Sequence, residues 1–418
     1  MTNAALSPPA VPLRDAIEAG TARCAVVGLG FIGTTLAQAL AHAGFSVSGV
    51  DRSPAAADRA RRQLADDGLA DAARRLGTDP AVLDDARVVV VAVRALPRPD
   101  GTFDLGPLRD AARSIREAGA AELVVVSSTA PPGTTRAFAE WLGGSTPIAH
   151  APERLAVGDD WRFLKRTAHL VGGVTPEAGR LGAALFAHLC ADVVAVSAPE
   201  VSELSKLLEN AFLSVGIALA GDVAAVAHGL GISAHEVSAA AATKGGGYFP
   251  FYPGPGVGGH CLPNDLAMLD ASARAVGAQA PVVAGARAAI GRQPAATVDR
   301  LAEVLDGVGK GLRGARVLLV GVGFKPGCAD TTATPAGPVA DALAERGADV
   351  AYLDGLVSQW RLPRVAASDL AAERFDAAVV VSGDGAVSDA DLLATGAVVL
   401  RAGDRARAER PADGVHLL

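Results

Sequence analysis

The chain has few cysteines and few aromatic residues. Its 418 residues include four cysteines, and aromatic residues make up 4%. Cys24, Cys190, Cys261 and Cys328 are widely spaced, with no CxxC pair and no zinc-like clustering with histidine. No disulfide framework and no metal site is expected, and a reducing cytoplasm is the compartment that fits. Excess basic charge is also lacking. The formal net charge of −7 argues against nucleic acid and against an anionic membrane as partners, and leaves room for a local basic pocket. The N-terminus lacks a basic start followed by an apolar block, so no signal peptide is read there. No uninterrupted apolar run reaches the length of a membrane span. What is present is 50% hydrophobic and 20% charged, a composition that buries well. Its length calls for two or three domains.

The stretch from Arg23 to Asp51 reads RCAVVGLGFIGTTLAQALAHAGFSVSGVD. A short apolar strand, CAVVG, runs into GxGxxG at Gly28, Gly30 and Gly33. A helical stretch closes at Gly44, and a second strand ends in Asp51. Gly28 permits the tight turn, Gly30 lets a pyrophosphate approach the backbone, and Gly33 lets helix and strand pack closely. Strand, helix and terminal acid together define a dinucleotide-binding unit. Asp51 would accept from the ribose hydroxyls and repel a 2′-phosphate, which favours NAD over NADP, and the adjacent Arg52 blurs that preference. Another buried strand starts at Ala86, and AELVVVSSTAPPGTTRAFAEWL repeats strand, turn and helix. Thr129 falls at a strand's carboxyl end, where open α/β sheets place ligands.

From Ser197 to about His228 an apolar stripe at helical spacing predicts one long helix. Lys206 and Asn210, four apart, share a face of it. Glu203 and Glu209 read as ordinary helix-surface carboxylates. Such a helix between two α/β halves is a natural spine and dimer surface. It leads to FYPGPGVGGHCLPNDLAML, where Cys261 sits among glycines and prolines and a short helical run starts near Asp265. Two readings stand for Cys261: a substrate-accessible thiol, or a small packing residue in a tight loop. GARVLLVGVGFKPG then opens a second α/β unit. The expected fold class is α/β, with two Rossmann-like domains of parallel strands joined by a long central helix. The boundaries read are a flexible extension over 1–22, a dinucleotide domain over 23–196, a central helical segment carrying the cysteine loop over 197–308, and a second Rossmann-like domain over 309–418.

GLGFIG, SSTAPPGTT, APERLAVG, SKLLENAF, PGPGVGGHCLPND and GVGFKPG, in this order and spacing, resemble the nucleotide-sugar 6-dehydrogenase family of UDP-glucose and GDP-mannose dehydrogenases. The resemblance covers about Arg23 to the end. It implies an NAD domain, a central helix carrying a homodimer contact, and a C-terminal UDP-sugar domain. It also implies four-electron oxidation of a sugar C6 alcohol to the uronic acid. By position, Cys261 matches the nucleophile that forms a thiohemiacetal and then a thioester. Lys206 and Asn210 match the pair that steadies the alkoxide, Asp265 and Glu153 match the carboxylates that handle water and protons, and Thr129 matches the hydroxyl that holds the water. The implied cofactor contacts are Gly28, Gly30, Phe31, Ile32, Gly33, Asp51, Arg52, Val93 and Thr129. The implied substrate contacts are Glu153, Arg154, Lys206, Asn210, Lys244, Phe251, Tyr252, Gly258 and Lys325, with Lys325 the foremost cation for the diphosphate.

The chain departs from the family at Val93-Arg94-Ala95-Leu96, where VPTP is usual. It departs at Leu213 and Gly216, which replace arginine and asparagine, and at Thr332, where an arginine is usual. FYPGPGVGGHC is more similar to members acting on UDP-GlcNAc or UDP-ManNAc than to UDP-glucose enzymes, which carry lysine where Asn264 stands. Two rival readings remain. One is a two-electron dehydrogenase of the same plan, which needs no cysteine. The other is an altered homologue that binds a sugar nucleotide without turning it over.

Overall fold

The computed structural model describes residues 11–155, 159–383, 385–403 and 412–418. Most of the expected extension, residues 1–10, and the last three residues of the APERLAVG motif lie outside them. The chain divides into two compact units, Met1–Leu208 and Glu209–Leu418.

The first unit runs α1 (Leu13–Glu18), β1 (Arg23–Val27), α2 (Phe31–His42), β2 (Ser46–Val50), α3 (Pro54–Asp66), α4 (Ala70–Ala73), β3 (Leu76–Gly77) and β4 (Val88–Val91). There follow β5 (Leu96–Pro97), β6 (Phe103–Asp104), α5 (Gly106–Ala118), β7 (Leu123–Val126), α6 (Thr134–Leu142), β8 (Ile148–His150), β9 (Ala168–Gly173), α7 (Pro176–Phe186) and β10 (Asp192–Val196). Eight of these strands form one sheet in the order β10-β9-β8-β7-β4-β1-β2-β3. Its pairings are parallel, apart from an antiparallel step between β8 and β9. The valine runs make these strands, because a parallel sheet covered on both faces needs apolar side chains on both. In β4, Val88 and Val90 join a core with Leu36, Leu40 and Leu185. Val89 and Val91 join another with Leu108, Ile115 and Phe138.

The expected flexible extension is corrected in part. Its described portion contains α1, whose Leu13, Ala16 and Ile17 enter the first of these cores. Three apolar side chains on one face of a six-residue helix are enough to fasten it down.

The helix α8 (Pro199–Gly229) starts in the first unit and continues into the second. The second unit adds α9 (Ala234–Ala242), α10 (Cys261–Ala275), α11 (Pro281–Gly307), β11 (Arg316–Val320), α12 (Ala336–Glu345) and β12 (Asp349–Leu353). It ends with β13 (Ala377–Val380), α13 (Asp389–Ala394), β14 (Val398–Arg401) and β15 (Val415–Leu417). The order β12-β11-β13-β14-β15 is parallel throughout, so the second α/β domain forms as expected. The sequence reads 197–308 as a segment of its own; its cysteine loop and α9, α10 and α11 belong to the same compact unit as this sheet, while α8 runs through the boundary between the units. Val298, Leu301 and Leu305 of α11 enter the second sheet's core, and Ala211 and Ala218 of α8 pack with Leu266 and Ala286.

By length and composition α8 is long and apolar enough to cross a membrane, although Asp222 interrupts its apolar run. Charges at Glu200, Glu203, Lys206 and Glu209 crowd its first turns and leave the remainder nearly free of them. Val201, Leu204, Leu208, Phe212, Leu219 and Val226 are exposed along one side. Steps of three, four or seven residues make this a stripe on a single face.

Candidate active site

Gly28 lies at the carboxyl end of β1, the central strand beside which the sheet order turns. Its φ of +93° is open to glycine, and an added Cβ would meet Ala92 O at 2.7 Å and a Val93 methyl at 3.0 Å. This contact brings Val93 to the glycine turn. At Gly33 a Cβ would lie 1.7 Å from Gly28 O, so helix and turn touch. At Gly30 nothing stands within 4 Å of that position, and Gly30 caps α2, so open space meets the free N–H groups of a helix start. Phe31 is exposed at that start, while Ile32 packs on the core. Asp51 follows β2 and accepts from Leu29 N at 2.7 Å and Ser53 N at 2.8 Å. Arg52 turns outward to Asp110, 3.2 Å away. The cradle, its anion-seeking helix start and the carboxylate beside it fit NAD.

The first unit also carries Thr129, Glu153 and Lys206, and the charge of Lys206 reaches Glu153. Thr129 is half-buried three residues beyond β7. Glu153 follows β8 and is buried, which pushes its carboxyl up to about 7. Backbone N–H groups of Arg154 and Leu155 donate to Oε1 at 2.7 and 3.0 Å, and these bonds and the charges of Lys206 and Arg154 act the other way. Oε2 has no hydrogen-bond partner among the described residues. Arg154 donates to Ala168 O at 2.8 Å.

In the second unit Asn210 is buried and donates from Nδ2 to Asp265 Oδ2 at 2.5 Å. Asp265 is one turn behind Cys261 on α10, so the two share a face. The helix begins at Cys261 itself rather than near Asp265. Pro263 falls in the first turn, where a missing N–H costs nothing. Cys261 is exposed there, whereas Cys24 and Cys190 are buried and burial pushes each of their thiols up to about 12. This favours the accessible reading of Cys261 over the packing one.

The loop before Cys261 is held at two points. Phe251 lies over Gly216 of α8, where a Cβ would come within 2.1 Å of the ring, and it meets Phe212 and Phe249 at centroid distances of 6.0 and 5.3 Å. The absence of a side chain at Gly216 is what gives the ring its seat. Gly258 presses on the second domain's glycine turn, with its would-be Cβ 2.7 Å from Pro335, 2.9 Å from Ala333 O and 3.0 Å from Phe324. Ala333 takes a φ of +47°, a strained value for alanine, next to Thr332. Lys325 Nζ stands 5.9 Å from the Phe324 ring centroid, and Tyr252 stacks on His235 at 5.7 Å. Lys244 is exposed in the turn after α9. Among the described residues no hydrogen bond or ion pair joins it to Asn210 or Asp265.

Sequence reasoning missed the setting of Glu203, which is no surface carboxylate. It is 2% exposed and accepts from Gly133 N at 2.6 Å, Thr135 N at 2.8 Å and Thr135 Oγ1 at 2.6 Å, at the start of α6. His150 was missed as well. Its Nδ1 is 2.8 Å from Ser202 Oγ and its Nε2 is 3.4 Å from Ser128 O. Burial holds it down to about 4, so it stays neutral. The usable signal was spacing: Ser202 and Glu203 fall four and three residues before Lys206, on its face of the helix.

Two cavities open in the second unit. One, of about 390 Å³, lies at the carboxyl ends of β11 and β13, beside Ser388 and Arg401. A wider one, of about 780 Å³, lies among α8, α9, α11 and β15, away from Cys261.

A glycine cradle at a sheet's turning point, with an acid closing the next strand, defines a dinucleotide-binding protein. The sequence comparisons narrow the class. Residues 22–190 match the model for the NAD binding domain of the UDP-glucose/GDP-mannose dehydrogenase family, and residues 200–289 match its central domain. The chain is 31% identical over 334 residues to a UDP-N-acetyl-D-mannosamine dehydrogenase of Pyrococcus horikoshii, covering 75% of this chain and 79% of that one. It is 32% identical over 396 residues to a UDP-glucose 6-dehydrogenase of Haloferax volcanii, covering 85% and 90%. The solved structure of UDP-D-ManNAc dehydrogenase from P. horikoshii superposes with a TM-score of 0.83 at 25% identity, covering 94% of this chain and 98% of that one. The chain belongs to the UDP-glucose/GDP-mannose dehydrogenase family. It is an NAD-dependent oxidoreductase.

Proposed function

We propose that the chain oxidises the C6 hydroxyl of a UDP-N-acetylhexosamine to the uronic acid, in two two-electron stages. UDP-ManNAc is the first candidate and UDP-GlcNAc the second. One observation carries the reading: Lys206 and Asn210 stand a turn apart on one face of α8, and Asn210 donates to Asp265, a turn behind Cys261. The relatives named for UDP-N-acetyl-D-mannosamine support the sugar.

NAD, when bound, takes up a hydride equivalent at each stage. The sum is one alcohol, two NAD⁺ and one water giving one carboxylate, two NADH and three protons. Lys206 and Asn210 steady the oxygen as it gains negative charge. Glu153, poised near 7, and Asp265 take and return protons, and Thr129 holds the water. Cys261 Sγ adds to the aldehyde carbon and gives a thiohemiacetal, whose oxidation leaves a thioester. Water breaks the C–S bond and returns the thiol. Cys261 is the first residue of α10, where the positive end of the helix dipole favours an anion. The cavity at the ends of β11 and β13, which Arg401 lines, is assigned to the nucleotide, and Lys325, beside Phe324, is assigned to its diphosphate. Arg154, Lys244, Phe251, Tyr252 and Gly258 are assigned to the substrate side. The exposed stripe of α8 is assigned to a homodimer and the enzyme to the cytoplasm.

The test is incubation with NAD and, separately, UDP-ManNAc, UDP-GlcNAc and UDP-glucose, with products identified by mass spectrometry. An N-acetylhexosaminuronic acid product is expected, and Cys261→Ser should abolish its formation while the variant keeps its fold. Unchanged uronate from that variant removes Cys261 as the nucleophile. Tight binding without turnover favours an altered homologue, with Thr332 the first suspect.

A further inference from the structure

We propose that Ser202 and Glu203 form a polar clamp that fixes the rotation of α8 about its own axis and so aims Lys206. Both are positioning residues. The inference rests on the role assigned to Lys206 above.

Apolar packing alone is a weak lock for this helix. Of the apolar side chains around Lys206, Leu207 is buried while Val201, Leu204 and Leu208 are exposed, and hydrophobic burial is non-directional. A slip of one residue turns every side chain by about 100° around the axis. Polar contacts are directional, and a buried carboxylate without donors is costly. Glu203 finds three donors at the start of α6, two of them backbone N–H groups of a helix end that otherwise lacks partners. Its neighbour Ser202 is fully buried, meets His150 Nδ1 at 2.8 Å and donates to Pro199 O at 2.8 Å. These two attachments come from consecutive residues, about 100° apart on the helix. Together they define an orientation that a single attachment would leave loose.

The attachments reach the segments that carry the assigned groups. The helix α6 starts in the loop that holds Thr129. His150 is three residues before Glu153 and stands 3.4 Å from the carbonyl of Ser128, next to Thr129. Lys206 lies one turn past the clamp on the same face, close enough for its charge to act on Glu153. The clamp therefore ties three separate segments to one helical rotation. His150 is neutral through the working range, so it serves here as a fixed hydrogen-bonding wedge rather than as an acid or base.

The test uses the full-length enzyme with NAD and the UDP-sugar it turns over. Glu203→Gln and Ser202→Ala are each made alone and together with Lys206→Ala, and kcat, both KM values and Tm are measured. Each single variant should lower kcat roughly tenfold or more, with KM for NAD changed less than about twofold. In the Lys206→Ala background the same substitutions should change the residual kcat less than about twofold, because they act through Lys206. Equal losses in both backgrounds would mean a general structural role and overturn the clamp. Unchanged kcat in the single variants would overturn it as well. Unchanged kcat in Lys206→Ala alone would remove the role of Lys206, and the clamp with it. Glu203→Gln preserves shape, and Ser202→Ala gives a second reading if either variant folds poorly.

Discussion

Glu153 is 4% exposed, and burial raises its carboxyl from an ordinary 4.5 to about 7. In the unfolded chain it ionises near 4.5. Between these values the folded state holds a proton that the unfolded state has lost, so the group's contribution to stability falls as pH rises from about 4.5 to 7. The full cost above pH 7 is up to about 3 kcal/mol. Glu153→Gln removes that dependence. Urea denaturation should find the variant gaining on the parent at pH 8 relative to pH 4, and the acid limb of kcat/KM near pH 7 should vanish from whatever activity remains. Parallel stability curves at the two pH values would show that the carboxyl is not held up. The carboxylate itself was legible from its place in APERL, but its raised pKa was not, because burial is a property of the folded neighbourhood. Glu203 makes the same point more sharply. It shares the composition of any helix-surface glutamate, and only the tertiary approach of α6 turns it into a buried cap.

At the scale of the element, α8 presents two different faces. Ser202, Glu203, Leu207, Asn210 and Ala211 are buried on one, and Leu204, Leu208, Phe212 and Leu219 are exposed on the other. The sequence shows the period of 3.6 and hence the helix, but not which side is covered. The exposed apolar stripe is the assigned dimer surface. Leu219→Glu puts a charge into it and should weaken self-association at least tenfold, read as a shift from dimer to monomer mass in sedimentation at micromolar concentration. A parent that is already monomeric, or a variant that stays dimeric, contradicts the assignment. Other elements were only partly legible. The start of α10 at Cys261 escaped the sequence because proline and glycine signal a loop, yet Pro263 is tolerated in a helix's first turn. α1 escaped because six residues carry too little periodicity, and its order comes from burying Leu13, Ala16 and Ile17 in the first unit's core.

For the whole molecule, the two sheets were legible because strands such as β4, β7 and β11 are short valine- and leucine-rich runs, a signal local in sequence. The division at Leu208 and Glu209 was not, since it falls inside a continuous helix and depends on what α10 and α11 pack against. The central claim is a property of the whole chain: one protein carries an alcohol through two oxidations, with Cys261 holding the intermediate between them. The measurement that bears on it most directly is the NADH formed per sugar consumed, with the UDP-sugar limiting and NAD in excess. The account predicts two NADH for each sugar, with a uronic acid as product. One NADH for each sugar, with the aldehyde set free, would contradict it.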